Sequence, residues 1–340
     1  MKHVFVINSH TTYLTTMGTI NYLKLDVSSI IFLLVRNYKN EYLCKDFRII
    51  ETSLLSYESE KAFASKNIWR KNKTDIIKKI DEFIITNIGQ SYCLYAPHLA
   101  HPLWVVLYTN KACCHFSYIQ EGLAPFAKRF VMSPPLLGYL ENLYYDMLVH
   151  GRMWYYRPWY LKTRIRTDIQ MDAYANNEKF FKYLPLKTTI VQWPLPKQDI
   201  SVNFEEDHKI FIYDAYVVHH VMKSDDYIMM CKKLIETQAA NINYLKFHPG
   251  QSKEEIDAIK DFFKSKNLKF QVLDNAIPFE YIIMTKKNLK LTGYGSTLLY
   301  LAHDYGHKVN CYDEELLKFK SYRRYKKING GLSFNEYVNL

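Results

Sequence analysis

The 340-residue sequence predicts an α/β protein made of two Rossmann-like halves, on three observations. Short apolar runs alternate with helix-period stretches through the first half of the chain. Prolines 185, 194 and 196 then break this rhythm. The same alternation restarts near residue 208 and runs to about residue 312. Strands that alternate with helices build a parallel sheet covered on both faces. At roughly 150 residues per domain the length suits two such halves. The expected organisation is a Rossmann-like domain over residues 1–184, a linker over 185–207 and a second Rossmann-like domain over 208–340.

Each element has its own signal. Residues 4–8 (VFVIN) are a short apolar run ending in the polar stretch 8–12, followed by a helix-like stretch to about Leu23. Residues 28–35 (SSIIFLLV) are β-branched, apolar and bounded by polar residues, as a buried strand requires. Residues 69–85 set apolar pairs at helical spacing and stop before Gly89, and strands are expected at 91–95 and 115–119. The Tyr-, Trp- and Arg-rich span 132–183 supports no assignment; within it, 151–166 reads either as a lid or as a packed helical excursion. Beyond the linker, strands are expected at 209–213, 242–247, 269–273, 289–291 and 308–312. Helices are expected at 224–238, 252–266, 279–285 and 297–304, with Ser252 as N-cap and Glu255 at the capping-box position. Two such halves facing across a cleft make the architecture called GT-B. Ligands of doubly wound sheets bind outside the carboxyl ends of the strands.

Composition narrows the function. Hydrophobic residues are 48% and charged residues 23%, which fits a soluble globular chain and excludes disordered, collagen-like and disulfide-scaffold classes. An excess of 45 Lys and Arg over 34 Asp and Glu gives +11, favouring anionic partners: nucleic acid, phosphorylated small molecules or an anionic membrane face. The six cysteines form no C-x-x-C pair, so neither a zinc nor a redox site is expected, and a reducing compartment fits them. The opening MKHVFVINSHTTYL has too short an apolar run for a secretory signal, and no stretch nears 18 apolar residues. A cytoplasmic protein is therefore expected. The segment 318–327 (KFKSYRRYKK) carries six Lys and Arg, as a peripheral foothold on an anionic inner-membrane surface or as a solvated helix face.

Three strand ends carry candidate chemistry. In the first, strand 115–119 runs into Gln120-Glu121-Gly122, where Glu121 is a candidate general base or a solvated turn residue. In the second, strand 242–247 runs into His248-Pro249-Gly250; imidazole exchanges protons near neutral pH and Pro249 fixes the turn, or His248 is a lone surface histidine in a turn. In the third, Thr292-Gly293-Tyr294-Gly295-Ser296-Thr297 leads straight into a helix. Glycines that admit close approach, hydroxyls and unpaired helix N–H groups suit a phosphate, or the segment is an N-cap and tight turn only. Neither a P-loop lysine nor a G-x-G-x-x-G fingerprint is present. By the strand-end rule, Asn8, Ser9 and His10, together with Pro97 and His98, are acceptor-side candidates, or simply caps and turns.

In order and spacing these motifs resemble those of the bacterial sialyltransferases and polysialyltransferases of lipooligosaccharide and capsule type. That family carries an acidic-acidic-Gly, a His-Pro and a Ser-Ser or Ser-Thr motif. The similarity extends to KIFIY, LKFHPG, IPFEYIIM and LTGYGSTLLYLAHDYG; it is good over about 205–315 and thin over 1–200. The resemblance implies inverting, metal-independent transfer from CMP-sialic acid to a glycan, with no cofactor, on a GT-B scaffold. Carried over, Glu121 deprotonates the acceptor, His248 donates to the departing CMP phosphate, and Ser296 and Thr297 hold that phosphate. Pro249, Gly250 and Gly295 shape the donor site, and Glu280 addresses the ribose or is a first-turn helix acid. The chain departs from the family at Gln120, which replaces the first acid. A CDP-polyol phosphotransferase of teichoic-acid type and a non-enzymatic anionic-polymer binder remain as alternatives. Nucleic acid is not an expected partner, because no recognisable nucleic-acid-binding motif is present.

Overall fold

The computed structural model describes residues 1–40, 42–64, 72–99, 101–122, 170–181, 186–196, 202–218, 221–329 and 333–339. Most of the span 132–183, including 151–166, lies outside the described residues. The chain divides into two compact units, Met1–Lys39 with Leu43–Pro194, and Leu195–Leu340 with Asn40–Tyr42.

The first unit is built on a seven-stranded sheet of order β3-β2-β1-β4-β5-β6-β7. Its strands are β1 (Lys2–Ile7), β2 (Ile30–Leu34), β3 (Arg48–Glu51), β4 (Tyr92–Ala96), β5 (Cys113–Ile119), β6 (Gln170–Ala175) and β7 (Thr188–Ile190). Every pairing is parallel. β2 and β4 are buried at every position, as strands covered on both faces must be. The helices are α1 (His10–Leu23), α2 (Ser53–Ala64), α3 (Asn72–Asn87) and α4 (Pro102–Thr109). Helix α1 buries threonines on several sides, and Thr15 and Thr19 satisfy their hydroxyls on the carbonyls of Thr11 and Thr15. Helix α4 starts with His101 as N-cap and Pro102 in its first turn, where a missing N–H costs nothing.

The second unit carries a five-stranded parallel sheet of order β10-β9-β8-β11-β12. Its strands are β8 (His208–Ile212), β9 (Ile242–Lys246), β10 (Lys269–Val272), β11 (Lys290–Gly293) and β12 (Lys308–Cys311). Between and after them come α5 (Ser224–Gln238), α6 (Lys253–Ser265), α7 (Phe279–Thr285), α8 (Thr297–Asp304), α9 (Asp313–Leu316), α10 (Lys320–Asn329) and α11 (Phe334–Val338). Its core gathers Phe211, Leu245, Phe247, Ile259 and Phe263 with α5 residues Tyr227, Cys231 and Leu234. Both sheets thus reverse strand order beside their first strand, between β1 and β4 and between β8 and β11. These are the switch points at which loops of opposite crossovers part and leave room for a ligand.

The units divide inside the span read as linker, but part of that span is sheet. Thr188–Ile190 pairs with β6, and its neighbour Val191 donates to Ala175 O at 2.7 Å. Prolines 194 and 196 act only after this strand is complete. The basic segment 318–327 largely coincides with α10. Among the described residues, no helix is long and apolar enough to cross a membrane.

The second sheet depends on a glycine. A Cβ on Gly293 would stand 2.5 Å from the backbone oxygen of Ile212 on the neighbouring strand, and backbone cannot step aside. Gly293→Ala is expected to destabilise the protein by about 2–3 kcal/mol, the cost of overpacking a tight interior. Urea unfolding of the wild type and the variant measures it, and equal midpoints would show that β8 and β11 have slack.

Candidate functional site

In the first unit, four polar side chains come from consecutive strand ends. Asn8 follows β1, Arg36 follows β2, His98 follows β4 and Glu121 follows β5. Because the strands are parallel, all four ends lie on one edge of the sheet. Asn8 Nδ2 donates to Glu121 Oε1 at 2.5 Å, while Asn8 Oδ1 accepts from the Thr12 hydroxyl at 2.8 Å. The Thr12 bond fixes which way the amide points and so turns its N–H₂ toward the carboxylate. Arg36 Nη1 stands 3.6 Å from the same oxygen, and His98 Nε2 lies 3.5 Å from Oε2. Arg36 and Asn37 both adopt left-handed backbone, with φ of 58° and 52°. Non-glycine residues in that region store strain of about 1 kcal/mol or more each, which often marks a functional turn.

His98 is only 5% exposed and packs against Trp104, with ring centroids 4.2 Å apart. Burial first, then the charges of Arg36 and His101, hold its imidazole well below the usual histidine range. It therefore meets Glu121 as a neutral ring. Ser9 is occupied as the N-cap of α1, accepting from Thr12 N at 3.2 Å, and His10 Nδ1 pairs with the Tyr38 hydroxyl at 2.9 Å. Of the acceptor-side candidates, Asn8 and His98 thus stand against Glu121, while Ser9 serves the helix.

Gln120 points elsewhere. Its backbone N–H donates to Tyr174 O at 3.0 Å and its Oε1 accepts from Asn176 N at 2.8 Å, which prolongs the β5–β6 pairing beyond the strand. At 2% exposure it is a structural residue.

The second unit gathers the remaining candidates on the matching edge of its own sheet. The turn 248–251 closes with Gln251 N on His248 O at 3.0 Å, while Gln251 Oε1 accepts from His248 N at 2.8 Å. Gly250 N donates to His248 Nδ1 at 3.0 Å. An N–H can only meet a lone pair, so Nδ1 is bare and the neutral ring carries its proton on Nε2. Pro249 lies exposed at the turn's tip. A Cβ on Gly250 would lie 3.2 Å from His248 Nδ1 and 3.6 Å from Ala215 Cβ, so this turn packs on the loop after β8.

The loop after β11 packs on that same loop. A Cβ on Gly295 would lie 3.3 Å from the Tyr216 hydroxyl, and Gly295 has φ of +114°, which a side chain resists. Tyr216 OH donates to Tyr294 O at 2.6 Å and pins the turn. Ser296 then occupies the N-cap of α8, yet its side chain makes no capping hydrogen bond. Its hydroxyl, with half-buried Thr297 and the first N–H groups of α8, is a set of donors suited to an anion.

Glu280 lies in the first turn of α7 and is 6% exposed. Sequence reasoning missed Lys246, the last residue of β9, which is 7% exposed and donates from Nζ to Asp274 O at 3.0 Å. It also missed Arg36; in both cases the available signal was a basic residue at the end of an apolar strand. Among the described residues, no group of three or more His, Cys, Asp or Glu side chains is placed to hold a metal ion.

The neutral state of His98 has a measurable consequence. The unfolded chain takes up a proton on this histidine below pH about 6.5, whereas the folded chain does not. Stability is then lost as pH falls, at up to about 1.4 kcal/mol per pH unit for one proton. His98→Gln is expected to flatten the fall in melting temperature between pH 7 and 5.5, and parallel curves for the two proteins would show that the ring is protonated in the fold.

A family model for alpha-2,8-polysialyltransferase (POLYST) matches residues 147–311, just under half of the chain. The match takes in His248, Glu280, Ser296 and Thr297. It bears out the resemblance to bacterial sialyltransferases and polysialyltransferases and supports a glycosyltransferase. No curated protein matches. Among solved structures, UDP-N-acetylglucosamine 2-epimerase from Rickettsia bellii is 13% identical, with 98% of this chain and 90% of that chain covered at a TM-score of 0.49. UDP-GlcNAc 2-epimerase from Methanocaldococcus jannaschii, in complex with UDP-GlcNAc and UDP, is 10% identical, covering 94% and 88% at 0.48. The Neisseria meningitidis UDP-GlcNAc 2-epimerase bound to UDP-GlcNAc is 10% identical, covering 99% and 94% at 0.44. Likenesses this distant carry nothing about chemistry.

Proposed function

We propose that this glycosyltransferase is an inverting, metal-independent sialyltransferase that moves sialic acid from CMP-sialic acid to a glycan of lipooligosaccharide or capsular type. The observation that carries the reading is the tautomer of His248. With Nδ1 accepting from Gly250 N–H, the proton sits on Nε2, where a departing phosphate oxygen can receive it.

The work divides between the two units. On the first, Glu121 takes the proton of the acceptor hydroxyl, and that oxygen bonds to the anomeric carbon of the donor. Asn8 and Arg36 keep the carboxylate aimed. On the second, the bond from the anomeric carbon to the phosphate oxygen breaks and its electron pair leaves with CMP. His248 donates its Nε2 proton there, while Ser296, Thr297 and the start of α8 hold the phosphate. Negative charge grows on the phosphate in the transition state, and donors aimed at growing charge are the strongest catalytic element. A phosphate stabilised by a proton and several N–H and O–H donors is a good enough leaving group to need no metal. The protein is proposed to act in the cytoplasm, with the basic α10 as its foothold on the inner membrane.

The test is CMP release from CMP-sialic acid with galactosyl and sialyl acceptors, in EDTA. Transfer should survive EDTA. His248→Ala is expected to lose about 10²–10³-fold in kcat, and Glu121→Gln at least about 10²-fold. Full activity of Glu121→Gln would move the base elsewhere, and consumption of CDP-glycerol in place of CMP-sialic acid would overturn the donor.

A further inference from the structure

Sulfur atoms gather at the amino end of the first sheet, the end opposite the one that carries Glu121. The parallel ladder between β4 and β5 slips there by one residue. Tyr92 pairs with Cys113 and Cys93 with His115, which leaves Cys114 as the extra residue of a bulge. A bulge re-aims the side chain it carries. Cys114 Sγ stands 3.4 Å from Met1 Sδ, and Cys93 Sγ stands 3.7 Å from that same atom. Two thiols from neighbouring strands thus converge on one thioether. Cys93 is buried, whereas Cys114 and Met1 are exposed, so the cluster is open to an ion from solvent.

The donor set is sulfur. Cys93 is flanked across the sheet by His3 and His115, whose imidazoles pair with the Tyr95 hydroxyl at 3.0 Å and the Asp172 carboxylate at 3.1 Å. A thioether completes the set, and not a third His, Cys, Asp or Glu among the described residues. That composition selects the ion. Thiolate and thioether ligands are soft and suit Cu(I), whereas structural Zn(II) takes four thiolate or imidazole ligands and hard cations take oxygen. Sulfurs held about 2.3 Å from one ion in a trigonal plane stand about 4 Å from one another. The two observed separations need widen only slightly to admit it, and the unbranched Met1 side chain has the rotatable bonds to do so.

We propose that Met1, Cys93 and Cys114 form a three-sulfur site for a soft monovalent cation, Cu(I). The ion takes the place of the two thiol protons, which are released to solvent, and the Met1 thioether binds as the neutral third ligand. Cys114 and Glu121 stand near opposite ends of β5, a strand's length of about 20 Å apart. The site is therefore remote from the proposed transfer reaction and does not rest on it.

The experiment is anaerobic titration of Cu(I), supplied as its coloured bicinchoninate complex, with the full chain. The wild type is expected to withdraw one Cu(I) per chain. Cys114→Ser should weaken that withdrawal by at least about a hundredfold, since even the outer partners of a metal ligand are worth about ten- to a hundredfold. Cys44→Ser, which alters a free thiol elsewhere in the same unit, should leave it unchanged. Copper-edge X-ray absorption of the Cu(I)-loaded selenomethionine protein should show one selenium and two sulfur neighbours. That measurement needs no variant, so it decides the question should Cys114→Ser fail to fold. Equal withdrawal by the wild type and Cys114→Ser, or a copper shell without selenium, overturns the site. A wild type that leaves the bicinchoninate complex intact overturns it as well.

Discussion

Parallel pairing is the constraint from which the remaining features follow. Each sheet runs all its described strands in one direction, so every strand delivers its carboxyl end to the same edge. Past that edge the backbone has no ladder partner, and side chains or ligands must take over. Asn8, Arg36, His98 and Glu121 stand within two residues of their strand ends, as do Lys246, His248 and Gly295. The sheet interiors are apolar because helices cover both faces, and polar chemistry is left to the rim.

The two units stabilise their carboxylates in different ways. Glu121 is held by an amide and a half-exposed guanidinium, with a neutral imidazole as its third neighbour. A base needs an ionised carboxylate that can still take a proton, and weak or distant partners leave it that freedom. Glu280, by contrast, lies buried in the first turn of α7. In the proposed reaction one carboxylate reacts and the other recognises the donor.

Much of the second unit was legible in the sequence. Residues 224–238, 279–285 and 297–304 form helices as read, because amphipathic spacing or a preceding proline marks their limits. The first unit was less so. β3 is four residues long and largely exposed, so it has no apolar run to announce it. α4 reads PLWVVLYT, buried on every side, which removes the period that distinguishes a helix from a strand. β7 is three residues beside two prolines and looked like a linker. At the site, motifs led to Glu121, His248, Ser296 and Thr297. Arg36 lies outside the motifs and Lys246 sits inside LKFHPG without standing out there: what marks Arg36 is the left-handed turn that sets it down, and what marks Lys246 is burial, both properties of the folded chain.

Gln120 shows how the strand period decides which of two adjacent residues can be the base. Neighbouring side chains on an extended strand leave on opposite sides. Gln120 leaves toward β6, where its Oε1 receives Asn176 N–H and its backbone continues the ladder to Tyr174. That position needs an acceptor and is sealed from water, so a carboxylate would be a buried charge and a neutral amide is not. Glu121 leaves on the other side, where Asn8 and Arg36 wait for an anion. The missing acid is therefore no loss to the proposed reaction: the side chain at position 120 is spent on closing the sheet, and the carboxylate that remains is the one the strand end presents.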